Sequence, residues 1–159
     1  MFLNFETGLA DWIDVKEFRC VPRDLDPSQA LELLLAHARF RDTYVSGDSQ
    51  EVDSVDLHGP YWLKELSSER YEPVAAREVD CALRDFAMRY SSEDEGRLRL
   101  ARYEDEVAPL LIDATDWLRL AALPEEAQHE FGWVLEDFIE FVVHDGASGR
   151  LLLIVAAAD

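Results

Sequence analysis

The chain has 159 residues with 15 Lys plus Arg against 34 Asp plus Glu, a formal charge of −19, and 48% of its residues are hydrophobic. A globule of this size keeps roughly 8,000 Å² of surface and can bury about two-thirds of what the unfolded chain exposes, so a single globular domain over residues 1–159 with its own core is expected. The surplus works out at about one net negative charge per 400 Å² of surface, which argues against direct nucleic-acid binding through phosphates. Seven Gly and six Pro exclude a low-complexity or collagen-like chain.

The start, Met1-Phe2-Leu3-Asn4-Phe5-Glu6, has no basic segment and meets acid at once, so no secretory signal is read there. A first strand candidate lies at 15–21. Asp26 followed by Pro27 then reads as a helix start, and Leu31, Leu34, Leu35 and Ala38 form an apolar stripe to about Arg41. A weaker strand candidate at 52–57 carries Asp53 and Asp56, with His58 just beyond. Asp56 and His58 are two apart and share one strand face, a spacing that admits a metal or acid–base pair lacking a nameable third ligand. A second helix is expected from Pro73 to about Tyr90, burying Ala75, Val79, Ala82, Leu83, Phe86 and Tyr90.

Residues 97–103 alternate as Arg97-Leu98-Arg99-Leu100-Ala101-Arg102 and read as a strand. Acids at 93–95 and 104–106 box in these arginines, so local neutralisation is expected. A short helix is assigned to 105–114 with Val107, Leu110, Leu111 and Ala114 inward, and another strand to 117–122. A fourth helix begins at Pro124 and stops at Gly132. Within it Glu126 and His129 form one Glu-x-x-His spacing, whereas carboxylate-bridged metal bundles use two on separate helices.

After Gly132 the period changes to two. Trp133, Leu135, Ile139, Phe141 and Val143 alternate with Val134, Glu136, Phe138, Glu140, Val142 and His144, and 150–157 runs back after a turn at 145–149. The expected fold is α+β, an antiparallel sheet ending in a long C-terminal hairpin with about four helices packed on one face. If the Trp133 side of the hairpin packs on the helices, the Val134–Glu136–Phe138–Glu140–Val142–His144 side faces solvent and offers carboxylates interleaved with apolar groups.

Catalytic and cofactor motifs are lacking. There is no Gly-x-Ser-x-Gly elbow and no phosphate-binding glycine loop, and Cys20 and Cys81 are sixty-one residues apart. His144-Asp145 at the hairpin mouth is reachable by a substrate, although Asp before Gly146 more often serves the turn itself. No catalytic residue, cofactor or metal site is therefore assigned, with Asp56, His58, Glu126 and His129 as the weak metal candidates. Two unpaired cysteines suit a reducing compartment, and the cytoplasm is expected, with no membrane association. The last 56 residues carry 13 acids against Arg119 and Arg150. The functional expectation is an acidic interaction domain for a basic protein, for instance an immunity-type inhibitor. A small enzyme or ligand-binding domain and a nucleic-acid mimic are the alternatives.

Overall fold

Residues 151–158 are apolar at every position, and a strand with no polar side must be covered on both faces. That requirement organises the fold. The computed structural model describes residues 1–5, 11–23, 25–44, 56–89 and 92–158. In chain order these form β1 (Phe2–Asn4), β2 (Asp11–Arg19), α1 (Pro27–Ala36), β3 (Leu57–His58), β4 (Tyr61–Trp62), β5 (Tyr71–Pro73), α2 (Ala76–Met88), α3 (Glu93–Glu106), β6 (Asp116–Leu120), β7 (Asp137–Asp145) and β8 (Arg150–Ala158). Six strands make one antiparallel sheet in the order β1-β2-β8-β7-β6-β5, and β3 and β4 form a separate hairpin. β8 is central, paired over nine residues with β2 on one side and with β7 on the other.

The C-terminal hairpin thus forms as the period-2 pattern requires, but β7 begins at Asp137 rather than at 133. Its tight end is turn chemistry: Asp145 accepts a hydrogen bond from the Ala147 amide at 3.0 Å. One face of the sheet, with Ile13, Val15, Phe141, Val143, Leu152 and Ile154, packs against α2 and α3 through Val79, Leu83, Phe86, Tyr103 and Val107. The opposite face, with Trp12, Val142, Leu151, Leu153 and Val155, is covered by Ala30, Leu31 and Leu34 of α1, and by Phe40 and Leu66. The expectation of about four helices on one face is corrected: among the described residues there are three α-helices, divided between both faces.

Local chemistry explains the other differences. α1 has the expected Asp26 cap, reciprocated by Gln29 at 3.0 and 3.3 Å, but ends at Ala36. α2 starts at Ala76, because Pro73 pairs with Leu118 as an edge strand, and Ala75 is exposed. Tyr90 and the expected strand positions 52–55, Asp53 included, lie outside the described residues. The segment read as a strand at 97–103 is inside α3. Ser92 and Glu95 cap that helix reciprocally, Arg97 pairs with Glu93, Arg102 pairs with Glu106 at 3.2 Å, and the inward positions are Gly96, Arg99 and Tyr103. The helical stripe was hidden because one inward residue is an arginine, buried at 2.7 Å from the buried Asp11. Arg97 and Arg102 are neutralised by the flanking acids as expected, whereas Arg99 pairs with Asp11, 88 residues away.

The helix expected at 105–114 is instead the end of α3 followed by a single 3-10 turn, Ala108–Leu111; Pro109 has no amide to continue the α-helical ladder. Residues 124–132 also fail to form an α-helix: they make a 3-10 turn at Glu125–Ala127, an isolated bridge from Gln128 to Tyr61, and a second turn at Gly132–Val134.

The β3–β4 turn depends on Gly59. Its φ is +52°, and a Cβ there would lie 2.4 Å from the Phe138 ring. Gly59→Ala should therefore cost about 1–3 kcal/mol from backbone strain and overpacking together. Urea unfolding would show a lower midpoint with an unchanged slope, and an unchanged midpoint would contradict this packing.

Candidate functional site

The β3–β4 hairpin lies over the α1 side of the sheet. The Gly59 amide donates to the Asp42 carbonyl at 2.7 Å, and His58 is directed into the interior, where its ring stacks on Phe40 with centroids 3.7 Å apart. His58 Nδ1 bonds the Phe40 carbonyl, and Nε2 lies 2.5 Å from Glu140 Oε2. The Tyr71 hydroxyl donates to Glu140 Oε1 at 2.5 Å. All three side chains are buried.

Hydrogen-bond bookkeeping fixes the charge of this cluster. A carbonyl has no proton to give, so Nδ1 of His58 carries the hydrogen on that side. Between Nε2 and Oε2 there must then be one proton, held either as imidazolium–carboxylate or as imidazole–carboxylic acid. Both arrangements are neutral overall, which is what makes a buried carboxylate tolerable here.

Tyr44 completes the surroundings at φ +57°, stacked on Trp12 at 5.1 Å and edge-on to His58 at 5.7 Å. Burial, with Glu140 nearby, pushes the Tyr44 and Tyr71 phenols well above their ordinary value.

The expected solvent-facing hairpin side is corrected by this packing. Val142, Glu140 and His144 are buried, Val142 within the core that α1 covers, and Phe138 is half-buried against Tyr61 and His58. Val134 belongs to the turn preceding β7, half-buried; of the six residues only Glu136 is exposed. His144 Nδ1 lies 3.5 Å from Asp116 Oδ2.

The metal candidates are not assembled into sites. Asp56 is exposed, on the wall of a groove of about 530 Å³ with Trp62, Leu63 and Lys64, whereas His58 is buried. Glu126 is exposed and His129 buried, and no helix joins them. Among the described residues no three His, Cys, Asp or Glu side chains are grouped to hold a metal ion.

His129 instead fastens a loop. Its Nδ1 accepts from the Phe131 amide at 3.2 Å, so Nε2 carries the proton and donates to the Gly59 carbonyl at 3.1 Å. The His129 amide donates to the Pro60 carbonyl at 3.1 Å, and a Cβ on Gly132 would sit 2.5 Å from that same oxygen. The loop 124–136 is thereby clamped on the turn that directs His58 inward. In this loop Trp133 is 71% exposed and Phe131 45%, and Trp62 of β4, whose ring lies 6.1 Å from that of His129, is 37% exposed. Glu125, Glu126, Glu130 and Glu136 are exposed in the same loop, which contains no Lys or Arg.

Chemically, the His58–Glu140–Tyr71 cluster is closed. Its polar atoms satisfy one another, and the adjoining cleft lined by Tyr61, Arg119, Phe138 and Glu140 is only about 150 Å³, smaller than the roughly 300 Å³ at which ligand pockets begin. Trp62, Phe131, Trp133 and the carboxylates of the 124–136 loop, by contrast, are exposed. Tyr71, Tyr44 and Phe40 were not singled out from sequence, because residues 58, 71 and 140 meet only through tertiary packing. Trp133 was assigned to the core by a strand pattern that begins four residues later.

Two results would check the cluster. Glu140→Gln can accept from Tyr71 and donate to a neutral His58 Nε2, so it should remain within about 1 kcal/mol of wild type. Glu140→Ala should cost about 3–5 kcal/mol by leaving His58 Nε2 and the Tyr71 hydroxyl buried without a partner. Equal urea midpoints for the two variants would contradict the assignment. On pH, the raised folded-state phenols mean that the unfolded chain releases their protons first. Their stabilisation is complete below the ordinary tyrosine pKa of about 10 and is lost as pH rises above it. The Tyr44 hydroxyl makes no hydrogen bond among the described residues. Tyr44→Phe should therefore keep neutral-pH stability and raise the alkaline unfolding midpoint; an unchanged midpoint would contradict the shift.

No protein-family model matches the chain, and no curated protein matches it. Two crystal structures of citrus MAF1 are distantly similar. One is 10% identical, with 98% of this chain and 92% of that chain covered and a TM-score of 0.41. The other is 9% identical, with 96% and 90% covered and a TM-score of 0.43. Likeness at that level does not establish a shared fold.

Proposed function

We propose that this chain is an acidic protein-interaction domain that binds a basic protein surface, with immunity-type inhibition of a basic toxin as its specific form. The observation that carries the reading is this exposed set: three aromatic side chains accompanied by four carboxylates, with no base in the 124–136 loop. The chain's own bases do little to relieve the surplus, since Arg84, Arg89, Arg97, Arg99, Arg102 and Arg150 are each already paired with an internal carboxylate. Interfaces are enriched in aromatic anchors, and a strong surplus of one charge steers a partner of the opposite sign.

A catalytic reading is weaker, because the His58–Glu140–Tyr71 cluster is buried and its polar atoms have partners within the protein. No helix among the described residues is long and apolar enough to cross a membrane. Cys20 and Cys81 are both free thiols, which supports a reducing compartment, the cytoplasm, as the place of action.

The test is association kinetics with the partner captured from the native host. Screening shortens from about 8 Å at physiological ionic strength to about 3 Å at 1 M salt. The association rate should then fall about tenfold or more while dissociation changes little. Replacing Glu125, Glu126, Glu130 and Glu136 with Gln should flatten that salt dependence and leave the unfolding temperature unchanged. A partner with an acidic surface, or association indifferent to salt, would overturn the proposal. A partner that is itself a nucleic-acid-binding protein, released competitively by nucleic acid, would replace it with the mimic reading.

A further inference from the structure

An exposed tryptophan next to an exposed phenylalanine is uncommon on a surface otherwise so rich in carboxylates, and here both flank a glycine held against backbone. Gly132 rests on the Pro60 carbonyl, and His129 fastens the loop to the Gly59 carbonyl through Nε2 and to the Pro60 carbonyl through its amide, while its Nδ1 accepts from the Phe131 amide within the loop. The aromatics are therefore presented on fixed backbone, which lowers the entropy lost when something docks on them. The ring of Trp62 lies 6.1 Å from that of His129, which places β4 against the same loop. The 124–136 loop that carries Phe131 and Trp133 also carries the exposed Glu125, Glu126, Glu130 and Glu136, and among the described residues none of the four is in an ion pair with a base.

Resting on the basic-partner reading above, we infer that Trp62, Phe131 and Trp133 with these glutamates form the docking site for an arginine-bearing segment of the partner. The choice of arginine follows from two requirements of the surface. A guanidinium lies flat on an indole or phenyl face while its edge still donates two parallel hydrogen bonds to a carboxylate. A lysine ammonium is a strongly hydrated point charge that can meet a ring but cannot lie flat on it while giving two parallel hydrogen bonds to a carboxylate. Cation–ring pairing occurs within this chain for both bases, with Arg89 4.3 Å from the Phe86 ring centroid, Arg99 4.5 Å from that of Phe5 and Lys16 Nζ 4.4 Å from that of Tyr44, so it is the flat, two-pronged fork that separates arginine from lysine on this surface. Aromatics without acids would favour an apolar partner, and acids without aromatics would not distinguish the two bases.

The experiment is calorimetric titration of the intact protein with two peptides of equal length and charge, one alternating arginine and glycine, the other lysine and glycine. The arginine peptide should bind about 2- to 30-fold more tightly than the lysine peptide. The Trp133→Ala, Phe131→Ala double variant should lose that preference while keeping the weaker, salt-sensitive binding common to both peptides. Both side chains are largely outside the core, so unfolding temperature should be retained and serves as the control. Equal affinity for the two peptides, or a preference that survives in the double variant, overturns this docking site and leaves the acidic-domain reading intact. Failure of either peptide to bind at low salt overturns both.

Discussion

Glu140 is a carboxylate in the middle of a strand that cannot reach water, and much of the candidate site exists in relation to it. β7 pairs along its length with β8, whose residues 151–158 have no polar side and are covered on both faces. Every side chain of β7 on the α1 side is therefore carried toward the interior, the carboxylate included. An isolated buried charge is costly enough that a fold must either protonate it or surround it with donors. Here it receives His58 from the β3–β4 hairpin and Tyr71 from the edge strand β5.

Those two bonds join elements that hydrophobic packing alone would leave loosely related. The β3–β4 hairpin is only two residues per strand, too short to be stable unaided. Its position is set by His58 on the inside, by the Phe138 ring beneath Gly59, and by the 124–136 loop that closes over Gly59 and Pro60. A buried polar interaction of this kind adds modest net stability, yet it defines one arrangement of the hairpin against the sheet. The exposed tryptophans inherit that definition. Their outward presentation is a consequence of what the neighbouring residues do inside.

Sequence patterning reached the hairpin, the antiparallel sheet and the positions of α1 and α2, because each has a strong period and a local stop or start signal. It misjudged the faces. The run at 151–158 was read only as the returning strand of a sheet with helices on one face, and Glu136, Glu140 and His144 in β7 and its approach suggested that the other face was solvated. Only one of those three is exposed. α3 was missed because Arg99 occupies an inward position, so its pattern looked like strand alternation. The loop at 124–136 has good helix-start chemistry at Pro124 and Glu125, yet its later residues bind the β3–β4 turn more favourably than they would continue a helix. The cluster of His58, Tyr71 and Glu140 has no sequence signature, since its members are 13 to 82 residues apart; nothing but the topology brings them together.

The most direct measurement is hydrogen exchange of the protein alone and in complex with its captured partner. The account predicts that protection gained on binding is concentrated in residues 59–62 and 124–136, with β7 and β8 already protected in the free protein. Protection confined instead to the outer surfaces of α2 and α3 would contradict it, and would move the partner to the opposite side of the sheet.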